Sequence, residues 1–385
     1  MEFVPRFLRP PAEPFFLLGP RGTGKTLWTR ETFPEALVVD LLDPATHREL
    51  LARPERLADL AAGNRGLKQI VIDEVQKAPE VLEVVHRLIE KKTGQQFILT
   101  GSSARKLRRA GVNLLGGRAL HLSMHPYMAA ELGGRFDFDK ALRIGLLPLV
   151  WSSREPGQTL AAYNGLYLRE EVQQEALVRD VGAFARFLEA MSFSHGAVLN
   201  LSNVARECQV NRKTGEGYLQ ILEDLLLGFR LPVFTRRAQR ALAAHPKFYY
   251  FDTGVFRANR PRGPLDAPEE IDGAALEGLV AQHLRAWCDL APCGHTLSYW
   301  QTRSQVEVDF VVYGEAGLHA IEVKNSPRVR PEDLRSLRTF GEDYPDSQKI
   351  LLYRGHERLR RHDILCIPCE DFLRQLRPAD SLWED

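Results

Sequence analysis

The run Gly19-Pro20-Arg21-Gly22-Thr23-Gly24-Lys25-Thr26 has the composition and spacing of a phosphate-binding loop. Its glycines let successive backbone N–H groups turn toward phosphate oxygens. Lys25 supplies a cation for the outer phosphates, and the Thr26 hydroxyl is a ligand for Mg²⁺. Further along, Gln69-Ile70-Val71-Ile72 ends in two acids, Asp73 and Glu74. An apolar strand capped in this way suits Asp73 to hold the metal, through water, and Glu74 to polarise the water that attacks the γ-phosphate. A third apolar run, Gln96 to Leu99, ends in Thr100-Gly101-Ser102-Ser103. Thr100 and Ser102 are candidates to sense the γ-phosphate, the alternative being simple capping of a strand end.

A second constellation lies in the last third. Val306 to Val312 and Leu318 to Lys324 read as two strands around the turn Tyr313-Gly314-Glu315-Ala316-Gly317. A regular hairpin centred between Glu315 and Ala316 sets Asp309 opposite Glu322, with Lys324 on the same face as Glu322. Two facing acids beside a lysine repel unless a cation joins them, so a divalent metal is expected on Asp309 and Glu322. Lys324 would then position or activate a water. Gly273 to Trp287 reads as a helix that brings in a further carboxylate, Glu277. This acid–x–lysine arrangement is that of restriction-endonuclease-like nucleases. The alternative is an exposed hairpin face with ordinary charge pairing, Glu307 to Lys324 included.

These side chains need elements to hold them. Phe15 to Leu18, Leu37 to Asp40 and the two runs above alternate with helical segments such as Pro79 to Lys92, which predicts a three-layer α/β domain. The polar, turn-rich stretch Ser152 to Gln158 reads as a linker. Beyond it comes a helical region, Leu160 to Met191. Ser202 is placed to cap a helix through Glu207, Asn211 to Lys213 to make a turn, and Thr214 to open a second helix. Leu231-Pro232-Val233-Phe234 and Lys247 to Phe251 would follow as paired strands, giving a winged helix. Arg212 and Lys213 in the turn, with Arg236, Arg237 and Arg240 on the wing, are candidates for DNA phosphate contact. Further arginines, among them Arg328, Arg335 and Arg354, recur beside the carboxylate pair and would line a groove. The expected division is residues 1–155 for a P-loop ATPase domain, 156–264 for a helical and winged-helix domain, and 265–385 for a restriction-endonuclease-like domain.

Several of these motifs occur in a familiar order. The phosphate loop, Asp73-Glu74-Val75-Gln76-Lys77, Leu99 to Ser103 and Leu115-Gly116-Gly117-Arg118 are followed by Tyr167-Leu168-Arg169-Glu170, Phe248 to Gly254 and Ile321-Glu322-Val323-Lys324. Taken together the chain resembles the prokaryotic extended-AAA ATPases that carry a C-terminal domain of uncharacterised function. The resemblance implies a ring-capable homo-oligomer, hexameric in the fullest form, with Arg118 in the glycine-arginine motif that reaches a neighbouring subunit's γ-phosphate. It also fills all four nuclease-type positions: Glu277, Asp309, Glu322 and Lys324.

Composition sets the frame. With 51 Lys and Arg against 50 Asp and Glu, the formal net charge is +1, so any nucleic-acid partner must be held by local patches. No apolar run is long enough to span a bilayer, and residues 1–14 carry no continuous apolar stretch of the signal-peptide kind. Five cysteines without such a signal point to reduced thiols and a cytoplasmic setting. Cys366 and Cys369 have metal-knuckle spacing, with Cys288 and Cys293 available to complete a site; the plainer reading is core thiols along a strand. The sequence thus leads to an ATP- and Mg²⁺-dependent, DNA-acting protein, with duplex or branched DNA bound without regard to sequence. It either cuts DNA at the C-terminal carboxylates or acts as a non-cleaving switch on DNA or a partner.

Overall fold

In a computed structural model, the described residues are all but 1–2, 104–116, 168–179, 237–241, 243–244, 265, 293, 316 and 383–385. The chain divides into two compact units: Met1–His125 with Asp224–Leu226, and Pro126–Glu223 with Leu227–Asp385. The main stretch of the first unit runs to His125, well upstream of the Ser152–Gln158 stretch, and Asp224–Leu226 joins it from farther along the chain.

The first unit is α/β. Its strands β1 (Phe15–Leu18), β2 (Leu37–Asp40), β3 (Gln69–Asp73), β4 (Gln96–Gly101) and β5 (Leu120–Ser123) form one sheet in the order β2-β3-β4-β1-β5. Every pairing is parallel. A parallel sheet is buried on both faces, which is why β3 and β4 are nearly unbroken apolar runs. Helices α1 (Lys25–Thr32), α2 (Pro44–Ala52), α3 (Arg56–Gly63) and α4 (Val81–Glu90) connect the strands. The apolar stripe of α4, with Val81, Leu82, Val85 and Leu88, joins Phe16, Ile72 and Leu99 in the core. Each such side chain contributes roughly 2 kcal/mol by leaving water. The strand order matters most for chemistry: β4 lies between β1, which feeds the phosphate loop, and β3, which carries the two acids.

Apart from two helices of one turn each, Ala129–Leu132 and Pro148–Trp151, the second unit's first longer helices are α5 (Phe138–Ile144) and α6 (Pro156–Ala162). The expected linker is thus interrupted by a helix that starts at Pro156. Helix α7 (Val181–Ser192) is followed by β6 (Ala197–Val198), α8 (Leu201–Glu207), α9 (Arg212–Asp224), β7 (Gly228–Leu231) and β8 (Lys247–Tyr250). The three strands form an antiparallel sheet in the order β6-β8-β7.

Three local expectations shift. Asn200 caps α8 by accepting the Asn203 N–H at 3.2 Å, two residues before Ser202. Asn211 caps α9 through the Thr214 N–H at 2.8 Å, so Arg212 and Lys213 lie in the first turn of the helix rather than before it. The partner of β8 is Gly228–Leu231, not Leu231–Phe234. Pro232 has no N–H to extend that ladder. The chain beyond it bonds Tyr299 instead, with the Phe234 N–H donating to the Tyr299 carbonyl at 2.7 Å.

Helix α10 (Thr253–Asn259) and the long α11 (Pro268–Leu290) lead to a six-stranded mixed sheet. Its strands are β9 (His295–Gln301), β10 (Glu307–Gly314), β11 (Gly317–Lys324), β12 (Gln348–Tyr353), β13 (Leu359–Arg361) and β14 (Ile364–Pro368), in the order β13-β14-β12-β11-β10-β9. Helix α12 (Arg335–Asp343) lays Leu337 and Phe340 into a core with Trp300, Val311 and Leu351, and α13 (Cys369–Gln375) ends the fold. Asp252 caps α10 with one carboxylate oxygen, accepting from Gly254 and Val255, and accepts the Leu146 N–H with the other at 2.7 Å. It thereby ties α10 to the segment after α5. Among the described residues no helix is long and apolar enough to cross a membrane.

Candidate functional sites

The phosphate loop leaves β1 at Gly19 and enters α1 at Lys25. Gly19 sits so close to Met124 that a Cβ there would meet the Met124 carbonyl oxygen at 2.5 Å. Gly22 and Gly24 both have positive φ, the left-handed conformation that glycine adopts without strain. Gly24 is the N-cap of α1 and has no capping side chain, and a helix N-terminus is a favourable place for an anion. Thr23 fastens the loop by donating to the Pro20 carbonyl at 2.7 Å. Arg6 braces it from outside through the carbonyls of Thr23, at 3.1 Å, and His125, at 2.7 Å. Lys25 is buried, and its ammonium donates to the carbonyls of Gly19 and Pro20 at 2.7 and 3.2 Å.

Opposite the loop, the Thr26 hydroxyl donates to Asp73 Oδ2 at 2.8 Å. Asp73 is buried at the end of β3, and its other oxygen accepts from the Thr100 hydroxyl on the neighbouring β4. Thr100 Oγ1 also accepts the Glu74 N–H at 3.1 Å, so one hydroxyl fixes both acids. Glu74 leaves the strand in the left-handed conformation, φ 59° and ψ 48°, which turns its side chain off the line of β3. Its carboxylate accepts from Gln76 Nε2 and from the Ser102 hydroxyl. The same Gln76 amide donates to Ser102 Oγ at 3.0 Å. Gln76 and Arg6 were not assigned a role from sequence; both act through backbone or side-chain geometry that spacing does not reveal. Arg118 is exposed and paired with Glu90 within this chain. Of its surroundings, Arg105, Lys106, Arg108, Arg109 and Gly116 lie outside the described residues.

Loop, hydroxyl and carboxylate make an oxygen-donor set suited to Mg²⁺, which takes one or two protein ligands and completes its shell with water and phosphate. Thr26 and Asp73 are the residues that would hold it.

The C-terminal carboxylates gather around a buried lysine. Strand β10 bulges against β9 between Val308 and Val311. The bulge lets Val308 and Val311 enter the same core while Glu307 and Asp309 face away from it. The β10–β11 ladder runs from Gly314↔Gly317 to Phe310↔Ile321. At the next position the Asp309 carboxylate, rather than backbone, accepts the Val323 N–H at 2.8 Å. Lys324 Nζ donates to Glu322 Oε1 at 2.6 Å.

The group that organises the site is Lys247, from β8. Its side chain is 1% exposed, and its ammonium contacts Glu307, Glu277 at 3.1 Å and Asp309 at 3.6 Å. Tyr249, two residues on, donates its hydroxyl to Glu277 Oε1 at 2.6 Å. Burial alone would lower the Lys247 pKa, but Glu277, Tyr249, Asp309 and Glu307 outweigh it and hold it well above the ordinary value. Burial pushes the Glu277 carboxyl up to about 7, with Lys247 pulling the other way. Burial, and after it the Asp309 charge, push Glu322 up to about 8, against the pull of Lys324.

Of the expected metal set, Asp309 lies near enough to both Glu277 and Glu322 to raise their pKa values, Glu277 and Asp309 contact the Lys247 ammonium, and Glu322 pairs with Lys324. Among the described residues no three His, Cys, Asp or Glu side chains form a metal-ligand group. At this centre an ammonium is seated among three of the acids. Cys288, Cys366 and Cys369 are free thiols, burial raises their pKa values, and Cys293 lies outside the described residues.

Of the proposed phosphate contacts, Arg212 and Lys213 are exposed on the first turn of α9, with Arg212 Nε at 3.0 Å from Glu216. Arg236 instead stacks on Tyr313 of β10, 4.7 Å from the ring centre, and its carbonyl accepts from Tyr344. Arg237 and Arg240 lie outside the described residues.

Residues 12–133 match the family model of an AAA domain. The chain carries an N-terminal AAA domain. Residues 135–265 and 272–372 match two domains of unknown function, DUF8612 and DUF4143. No curated protein gave a match. Among solved structures, AMPPCP-bound DnaA from Aquifex aeolicus is similar at 14% identity, over 55% of this chain and 81% of that one, with a TM-score of 0.28. Protein VC1899 from Vibrio cholerae is similar at 13% identity, over 94% and 96%, with a TM-score of 0.21. Superpositions that loose leave the functional reading of the AAA domain and its companions to the sites themselves.

Proposed function

We propose that this chain hydrolyses ATP at its AAA domain and uses the nucleotide state to alter its hold on DNA. The observation that carries the first half is the hydroxyl–carboxylate network of Thr26, Asp73 and Thr100 beside the phosphate loop. ATP would lie with its phosphates over the N-terminus of α1, where the helix end and Lys25 favour negative charge. Lys25 would leave the Gly19 and Pro20 carbonyls for the outer phosphates. Thr26 and Asp73 would hold Mg²⁺, which would supply charge neutralisation for the outer phosphates. Glu74 accepts a proton from, or orients, the attacking water, with Thr100 fixing the backbone from which it projects.

For the second half, the order α7-β6-α8-α9-β7-β8 supports a winged helix, in which α9 presents Arg212 and Lys213 to phosphates. Contacts of that kind are sequence-independent. Arg118 fits a role across a subunit boundary in a homo-oligomeric ring, where it would exchange Glu90 for a neighbour's γ-phosphate. The six-stranded sheet with Asp309, Glu322 and Lys324 supports a restriction-endonuclease-like fold for the C-terminal domain. The Lys247 ammonium favours its non-cleaving form, a domain that grips DNA or a partner protein.

The test is ATP turnover by wild type, Lys25→Ala and Glu74→Gln with and without duplex or branched DNA. The reading expects DNA-stimulated phosphate release in wild type and none in either variant. Turnover indifferent to Lys25→Ala, or absence of DNA binding at low salt, would refute it.

A further inference from the structure

We infer that Lys247 is the resident cation of the C-terminal acidic centre and that its ammonium takes the place of a divalent metal there. Lysine is almost never fully buried unless its charge is matched, and here three carboxylates share one ammonium. Each of those three acids has a further donor: Gln301 Nε2 donates to Glu307 Oε2 at 2.7 Å, Tyr249 to Glu277, and Val323 N–H to Asp309. Glu322, which Lys247 does not contact, pairs with Lys324 through Oε1 and keeps Oε2 buried without a hydrogen-bond partner among the described residues.

The ammonium is not a mobile surface group that has wandered in. Lys247 sits on the central strand of its sheet, paired with Val198 on one side and Leu231 on the other, so its Cα is fixed by two ladders. Glu277 is brought to it by a close approach of α11. A Cβ at the next residue, Gly278, would meet His195 Nε2 at 2.2 Å, so only glycine admits the helix there. Strand β8, helix α11 and strand β10 thus converge on one nitrogen atom.

A divalent ion could join Asp309 only by sharing the pocket with that ammonium. Two cations at such a distance repel, and expelling Lys247 would strand Glu277 and Glu307 as uncompensated buried charges. The centre is better described as a charge lock between the middle and C-terminal parts of the second unit than as a hydrolytic site. The inference does not depend on the nucleotide site, and its test omits nucleotide so that the two can fail separately.

The test is Mn²⁺ binding to the nucleotide-free full chain, followed by electron paramagnetic resonance, for wild type, Asp309→Asn, Lys247→Met and the Lys247→Met/Asp309→Asn double variant. Wild type and Asp309→Asn are expected to give superimposable isotherms. Lys247→Met is expected to gain a site at least about tenfold tighter than any in wild type, lost again in the double variant. A wild-type site that Asp309→Asn weakens about tenfold or more would overturn the inference. So would a folded Lys247→Met chain that gains no site. If Lys247→Met does not fold, the comparison of wild type with Asp309→Asn still decides.

Discussion

Thr100→Val isolates the hydroxyl on which both acids of the AAA domain depend. The substitution keeps the shape of a fully buried side chain and removes its oxygen. Two bonds go with it: the donation to Asp73 Oδ1, and the acceptance of the Glu74 N–H at 3.1 Å. The Glu74 N–H is left without that acceptor, a loss of about 1–3 kcal/mol. Asp73 keeps its 2.8 Å bond from Thr26, so the ground-state hold on Mg²⁺ and nucleotide should change little. The loss should fall on the geometry of Glu74 toward water, a difference realised at the transition state. At 1.36 kcal/mol per decade, kcat is expected to drop about 10- to 100-fold. The Kd for a fluorescent ATP analogue should stay within about threefold of wild type. Phosphate release under saturating ATP and an equilibrium titration measure the two separately. A kcat within about twofold of wild type would show that Thr100 is only a strand-end cap.

Other parts of the structure yield equally direct expectations. Burial raises the Asp252 pKa from 3.8 to about 6, against the pull of four backbone N–H groups. The native state therefore binds the extra proton between those values. The associated stability is fully present below pH about 4 and is lost as pH rises through about 6, by roughly 3 kcal/mol. Urea unfolding across that range should show the trend in wild type and lose it in Asp252→Asn; parallel curves would contradict the assignment. Gly254→Ala should destabilise the second unit by more than about 3 kcal/mol, because the new Cβ would lie 2.0 Å from the Ile144 carbonyl oxygen. A variant with a wild-type melting temperature would refute that contact. Arg212→Ala and Lys213→Ala should each weaken DNA binding across all sequences and reduce the salt slope by about 1. An unchanged slope would remove α9 from the DNA surface.

What the sequence made legible is what local spacing dictates. The phosphate loop and the Asp73–Glu74 strand end are contiguous motifs, and their strands appear where apolar runs predict them. The hairpin register was also accessible, because a tight turn determines which residues face each other as far as Phe310↔Ile321. One rung further the bulge at Val308 to Val311 intervenes, and no sequence signal marked it. Lys247 was read only as the start of an aromatic strand. Its role depends on Glu277, Glu307 and Asp309 arriving from elements remote in sequence, which periodicity cannot express. Helix caps shifted by two and three residues because Asn200 and Ser202, or Asn211 and Thr214, are all competent caps, and neighbouring geometry chose between them. The end of the first unit's main stretch at His125 has no compositional mark, whereas the polar stretch near residue 155 that looked like a boundary is entered by a helix at Pro156.

The coupling of nucleotide state to DNA is tested most directly by one anisotropy titration. Labelled duplex DNA is bound to Glu74→Gln in Mg²⁺-ATP, which that variant should hold without turnover, and to the same protein in Mg²⁺-ADP. The two Kd values are expected to differ by at least about fivefold, a coupling free energy near 1 kcal/mol. Superimposable curves in the two nucleotides would contradict the account.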